Sequence, residues 1–169
     1  MTLTMPVLEV PYNSAEYLDL VRLRDLHQAG SRSAPACREY LDLVRLRDLH
    51  LRQPIGLRLH DEDRIGEDLH RHFALIDEGV IAGGLIAVPL DPHSIKLRQM
   101  WILPELRGEG QGRHLLETVE QALFLQGFRH FTLHARQNAV GFYSGCGYEV
   151  IGSTFTEVGR PHLRMDKYW

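Results

Sequence analysis

Arg107-Gly108-Glu109-Gly110-Gln111-Gly112 stands between a largely apolar run, Leu97 to Leu103, and a segment with helical periodicity. Three alternating glycines let the backbone turn with its N–H groups exposed and no Cβ in the way. Successive N–H groups backed by the positive end of a helix form an anion site, and a pyrophosphate is the natural guest. A phosphate loop of the nucleotide-hydrolase type needs Lys and Ser/Thr after its last glycine. Here Arg113 and His114 follow. A dinucleotide fingerprint needs G-x-G-x-x-G in the first β-α turn of a parallel unit. Here the glycines run G-x-G-x-G, two-thirds of the way along the chain.

Outward from the loop, the pattern predicts strands and helices in a definite order. Val7 to Val10, Phe73 to Asp77, Val80 to Val88 and Ser94 to Leu103 read as strands, with Glu78-Gly79 as a hairpin turn. Gly83-Gly84 either weakens its strand or allows a close approach. Leu115, Leu116, Val119, Ala122 and Leu123 make a helical stripe over Gln111 to Gln126, and Gly127 ends it. Phe131 to Ala135 reads as a strand, Ala139 to Gly145 as a short helix, and Tyr148 to Ile151 and Leu163 to Tyr168 as final strands. Asp61 to Asp68 is a charged short helix or loop. Early hairpins and a late β-α-β unit predict an α/β domain of three layers.

Ile102 to Gly112 resembles the V-x-P-x-x-R-G-x-G-x-G signature of the GNAT superfamily of acyl-CoA-dependent N-acetyltransferases. Asn138-Ala139-Val140-Gly141-Phe142-Tyr143-Ser144-Gly145-Cys146-Gly147-Tyr148 is similar to its second signature. Pro161-His162-Leu163-Arg164-Met165 resembles the final strand of one small bacterial branch. The resemblance spans residues 39 to 169. It implies a three-layer α/β/α domain with a mixed, splayed central sheet, and acetyl transfer from acetyl-CoA to a primary amine of a small molecule through a ternary complex. An acyl-CoA-binding module without turnover is the alternative.

The same resemblance implies a site. The pantetheine arm would pair with free backbone groups of Met100, Trp101 and Ile102. Arg107, Gly108, Glu109, Gly110, Gln111 and Gly112 would hold the pyrophosphate, with Arg113 either adding charge or standing in solvent. Asn138 would contact the cofactor arm, cap the following helix, or both. Phe142 belongs to the same contact region. Tyr143 matches the tyrosine beside the sulfur, where a phenol could donate to the departing thiolate; otherwise it packs its short helix. Many relatives place a Glu base before the loop, but Arg98-Gln99-Met100 has no carboxylate. His162, His134, His72 and Glu157 are the candidate bases, with His162 placed first and water-mediated deprotonation open. Cys146 reads as a small core residue rather than a nucleophile. No H-E-x-x-H or similar spacing occurs, so no metal is expected.

Composition sets limits. The 169 residues suit one domain, 1–169, and a net charge of −3 makes no global case for nucleic acid or an anionic membrane. No apolar run approaches a membrane span, and the first residues lack a signal-peptide pattern, so the cytoplasm is the expected compartment. Cys37 and Cys146 do not make a disulfide framework.

Glu16 to His27 recurs letter for letter as Glu39 to His50, twelve identical positions. The resemblance implies one seat for a helix after the first strand, and the copies compete for it. The first has the better start, with Asn13 or Ser14 as N-cap and Glu16 in a capping box. The second has the better continuation, with Pro54 ending it near Gln53. The second is expected to dock. The first would then leave Leu18, Leu20, Val21 and Leu23 to be buried elsewhere, for which exchange within a homodimer is one route.

Overall fold

The structure is a computed structural model that describes residues 4–10, 36–60 and 66–169. The first repeat copy, its proposed caps at Asn13 and Ser14, and the apolar patch from Leu18 to Leu23 lie outside the described residues. So do residues 61–65 of the charged segment.

Period-two alternation gives the strands two different faces. In β2 (Arg71–Asp77), Phe73 and Leu75 enter one core and Ala74 enters another. β1 (Val7–Val10), β2, β3 (Val80–Pro89), β4 (Ser94–Ile102), β5 (His130–Arg136), β6 (Glu149–Glu157) and β7 (Arg160–Tyr168) form a seven-stranded sheet ordered β1-β2-β3-β4-β5-β7-β6. The β4–β5 pair is parallel and the others are antiparallel. On one face, α2 (Gln111–Leu125) buries Leu115, Leu116, Val119 and Leu123 against a core that includes Leu85, Leu97, Phe131 and Leu133. On the other, α1 (Ala36–Arg47) lays Tyr40 and Leu43 on Val10, Ala74 and Trp101. This is the expected α/β/α layering.

The second repeat copy thus packs on the sheet, and its polar residues help hold it. Tyr40 Oη donates to Glu67 Oε2 (2.7 Å), and Arg47 Nη2 to Glu67 Oε1 (2.8 Å), all buried. A π-helical turn, Asp48–Arg52, continues α1, and Gln53–Ile55 adds a 3₁₀ turn before Gly56 takes a left-handed φ of 75°. Pro54 therefore lies inside the terminal turn, one step beyond the expected stop. The buried Asp48 carboxylate accepts from Gln53 and Arg58 at 2.9 Å and from the Leu59 N–H at 2.5 Å. That closes the following loop.

Two glycines resolve into close approaches. A Cβ on Gly84 would stand 2.5 Å from Trp101 Nε1, and one on Gly83 would stand 2.7 Å from Ile102 Cδ1. The last hairpin is longer than the pattern indicated, because its turn is Val158-Gly159, with φ of 51° and 65°. Val at positive φ is not a turn signal. The register shift between Ile151 and Phe155 further breaks the strand pattern. Glu120 of α2 is fully buried, where its carboxylate accepts from Tyr148 Oη (2.5 Å) and Lys167 Nζ (2.6 Å).

Candidate active site

The site begins where β4 and β5 part. They pair only from Ser94–His130 to Leu97–Leu133. Beyond Leu97, β4 stays bonded to β3 but has no partner on its β5 side among the described residues. Gln99 has a φ of 50°, a left-handed kink in a strand, and the β3–β4 register shifts across it. Backbone groups from Arg98 to Ile102 thereby border a cleft of about 880 Å³. Gln99 Oε1 is buried there with no hydrogen-bond partner among the described residues. It is a ready acceptor for a ligand N–H.

The glycine loop closes one end. Gly108 and Gly110 both have φ of 81°, and Gly110 is the N-cap of α2 with no side-chain cap bond. The first-turn N–H groups of α2 have no intrahelical partner, an arrangement suited to an anion. A Cβ on Gly112 would lie 3.4 Å from Met100 Cε and from Phe142 Cζ, in ordinary contact, so a side chain at this position would face β4 and the short helix across the cleft. Arg107 Nε donates to the Ile102 carbonyl at 3.2 Å, tying the loop to the end of β4. Arg107, Gly108, Gly110, Gly112 and Arg113 line the cleft, whereas Glu109 and Gln111 do not. Arg113 also reaches Glu117 at 3.4 Å, as a solvent-facing helix residue would.

The short helix arrives opposite. Gln137–Ala139 forms a 3₁₀ turn and α3 (Val140–Gly145) follows, bringing Asn138, Phe142 and Tyr143 to the cleft. The cap of α3 is Ala139, and no side chain caps it, so Asn138 does not serve as an N-cap. Tyr143 Oη points at Met100 Sδ across 3.8 Å. Burial first, then the nearby Cys146, push its phenol up to about 12, against a smaller opposing effect of Arg136. The phenol therefore holds its proton. Cys146 is a buried member of the main core, and burial pushes its thiol up as well.

The four candidate bases separate. His134, Glu157 and His162 line the cleft. His72 does not; it is buried between sheet and α1, edge-on to Tyr40, with Nε2 3.0 Å from the Glu67 carbonyl. His162 Nδ1 donates to the Arg160 carbonyl at 2.9 Å, which puts a proton on Nδ1 and, in the neutral tautomer, makes Nε2 the acceptor. His134 Nδ1 contacts Glu157 Oε2 at 2.5 Å, and Lys96 Nζ lies 3.3 Å from both its ring nitrogens. Burial raises the Glu157 carboxyl, but the hydrogen bond and charge of His134, with His162 and Lys96 beside it, outweigh burial and keep it ionised.

His50 is a cleft residue that the pattern did not single out. Its ring stacks on Trp101 at 5.2 Å and 12°, beside Leu51 and Arg52. It is the last residue of the repeat, where it is identical to His27. It lies in the π-helical turn Asp48–Arg52.

Residues 57–169 match the family model described as the Acetyltransferase (GNAT) domain. The chain belongs to the GNAT acetyltransferase family. It is 36% identical to the N-acetyltransferase YjcF of Bacillus subtilis (strain 168) over 73 residues, 43% of this chain and 52% of that protein. It is 33% identical to the Bacillus subtilis (strain 168) protein YyaT over 75 residues, 44% of this chain and 51% of that protein. The matched part spans about half the length of these curated relatives. An acyl-CoA N-acyltransferase from Pseudomonas aeruginosa shares the fold with a TM-score of 0.66 at 16% identity, covering 96% of this chain and 99% of that one. A GNAT family acetyltransferase from Elizabethkingia anophelis, solved with acetyl-CoA bound, aligns with a TM-score of 0.61 at 11% identity, over 99% of this chain and 100% of that one. Among the described residues, no helix is long and apolar enough to cross a membrane.

Proposed function

We propose that this GNAT protein transfers an acetyl group from acetyl-CoA directly to the primary amine of a small molecule, with both substrates bound at once. The observation that carries the reading is the cleft itself. The glycine loop offers uncapped helix N–H groups at one end, and β4 offers unpaired backbone beyond Leu97. A protonated phenol stands where β4 and α3 face each other.

Each residue then has a task. Gly108, Gly110, Gly112 and the first turn of α2 seat the pyrophosphate, with Arg107 and Arg113 adding charge. Met100, Trp101 and Ile102 present N–H and C=O groups to the pantetheine arm, as an added strand would. Asn138 and Phe142 border the same arm. His162 Nε2 accepts the proton that the ammonium must lose before its lone pair can attack. The new N–C bond forms as the C–S bond breaks; Tyr143 Oη hydrogen-bonds the departing thiolate, and the second proton that the nascent amide nitrogen sheds ends on that sulfur. The buried Cys146 takes no part, so no acyl-enzyme is expected.

The experiment is thiol release from acetyl-CoA against a panel of primary amines, alongside direct titration with CoA. Amine-dependent release with one acetylated product supports the reading. CoA binding with no transfer to any amine would instead mark a non-catalytic acyl-CoA-binding module. We further propose that residues 1–169 form one domain, that the protein works in the cytoplasm and that the first repeat copy builds a homodimer; sedimentation of the full chain tests the last.

A further inference from the structure

The cleft is cationic although the chain is acidic. The net charge is −3, yet six Lys and Arg side chains line the cleft against one carboxylate, Glu157. Arg107 and Arg113 belong to the glycine-loop end, which accounts for two. A separate group stands by the end of β5. Arg136 is half-buried, and among the described residues its guanidinium donates to a single acceptor, the Leu51 carbonyl at 2.9 Å. Burial first, and then the charges of Arg52 and Arg160, make its protonated form costly. No described carboxylate pairs with Arg52, Arg136 or Arg160. Like charges brought together in a partly desolvated site repel, and a bound anion relieves that repulsion.

The place of the cluster matters as much as its charge. Arg136 and Tyr143 line the same cleft, so the cluster borders the proposed reacting centre. Arg52, from the turn after α1, and Arg136, from β5, both line the cleft, and Arg160, at the start of β7, lines with Arg136 a neighbouring cavity of about 460 Å³, so three separate elements meet around Arg136. A guanidinium presents a planar fork that matches a carboxylate in two parallel bonds.

We propose that Arg52, Arg136 and Arg160 form an anion subsite for the acceptor, and that the acceptor is therefore a primary amine bearing a carboxylate, of the amino-acid class. The subsite rests on the acetyl-transfer reading. It holds the carboxylate and thereby aims the neighbouring amine at the acyl carbon. Electrostatic attraction from the cationic cleft also draws such a substrate in.

The test uses matched acceptors that differ only in the carboxylate: glycine and glycinamide, β-alanine and β-alaninamide, L-phenylalanine and L-phenylalaninamide. The amide's amine is the weaker base, so more of it is neutral and the comparison is biased against the acid. Charge-assisted bonds of this kind predict a preference for the acids of roughly tenfold to a hundredfold in kcat/KM. Arg136→Gln should collapse the acid-to-amide ratio towards one, and Arg160→Gln, at an exposed position, should lower it without threatening the fold. Amides used as well as acids by the parent would overturn the proposal. Loss of CoA affinity in the variants, with the ratio intact, would overturn it too, because the arginines would then serve the phosphates of CoA. If CoA binds but no amine is acetylated, the transfer reading fails separately. Calorimetry of the CoA-loaded protein with N-acetylglycine and N-acetylglycinamide then decides the subsite. Acid-selective binding lost in Arg136→Gln supports it, and equal or absent binding of the two overturns it.

Discussion

Replacing Tyr143 by phenylalanine keeps the ring and removes one hydroxyl, so it isolates the donor. In the structure that hydroxyl has one weak acceptor, the Met100 thioether at 3.8 Å. Stability should therefore change by less than about 1 kcal/mol. CoA affinity should hold, because the phosphate seat and β4 backbone are untouched. Turnover is different. The phenol is raised to about 12 by burial. An ordinary thiol titrates near about 8.5, so complete transfer of the proton to a free thiolate is uphill by roughly 3.5 pKa units, or about 5 kcal/mol. The phenol then acts mainly by a hydrogen bond to charge developing on sulfur. Losing one such positioned donor costs about 10²–10³ in turnover, the lower part of the range for general acids. Single-turnover thiol release with saturating amine reads the chemical step directly. The sign of the shift adds a second readout. A raised pKa keeps the donor protonated, so Tyr143 should produce no basic limb in the parent's rate profile below about pH 11. The fold should also lose stability as pH climbs from 10.0 through about 12, since the folded state alone disfavours the phenolate. An unchanged single-turnover rate in the variant would assign Tyr143 to packing. A basic limb near neutral pH that vanishes in the variant would refute the raised pKa.

Gly112→Glu should abolish CoA binding by calorimetry while leaving the fold intact, because the new side chain and its charge enter the phosphate seat beside Met100 and Phe142; retained affinity would move the pyrophosphate elsewhere. Lys167→Met strips the fully buried Glu120 of its cation and leaves it, among the described residues, only the Tyr148 hydroxyl, so denaturant unfolding should show a loss of about 3–5 kcal/mol. Asp166 is held at about 2, since bonds from Arg164, Thr132 and His130 outweigh the upward push of burial. Its stabilisation is full above 3.8 and is lost as pH falls towards 2, so Asp166→Asn should be less stable than the parent near neutrality and flatten that acid limb. Deleting Glu16 to Arg38 joins Ala15 to Glu39 and sets Asn13 three residues before Glu39, a capping box for the retained helix. The deletion should fold with a Tm no lower than the parent's, and a collapse would show that the removed segment belongs to the core.

What the sequence determined by itself is whatever neighbouring residues encode. Arg107 to Gly112 is legible because positive φ at Gly108 and Gly110 is a local demand that only glycine meets without strain. The α2 stripe and the Glu78-Gly79 hairpin are legible for the same reason, since a face or a turn spans a few consecutive residues. Those local facts in their chain order were enough for the family and its layered fold. The tertiary structure decided whatever depends on distant partners. Gln99 is kinked by the shift between β3 and β4, and nothing in its neighbours says so. Glu120 is a polar letter in a helix until Tyr148 and Lys167 surround it. Arg52, Arg136 and Arg160 are scattered surface-type residues until three elements converge. The repeat is the clearest case. Tyr40, Arg47 and Asp48 have identical counterparts in Tyr17, Arg24 and Asp25, so propensity and periodicity are the same for both copies. The second copy meets Glu67 and the Leu59 N–H because the chain runs on from it through His50 and Arg52 into those partners. Continuity and long-range contact, rather than letters, decide its seat.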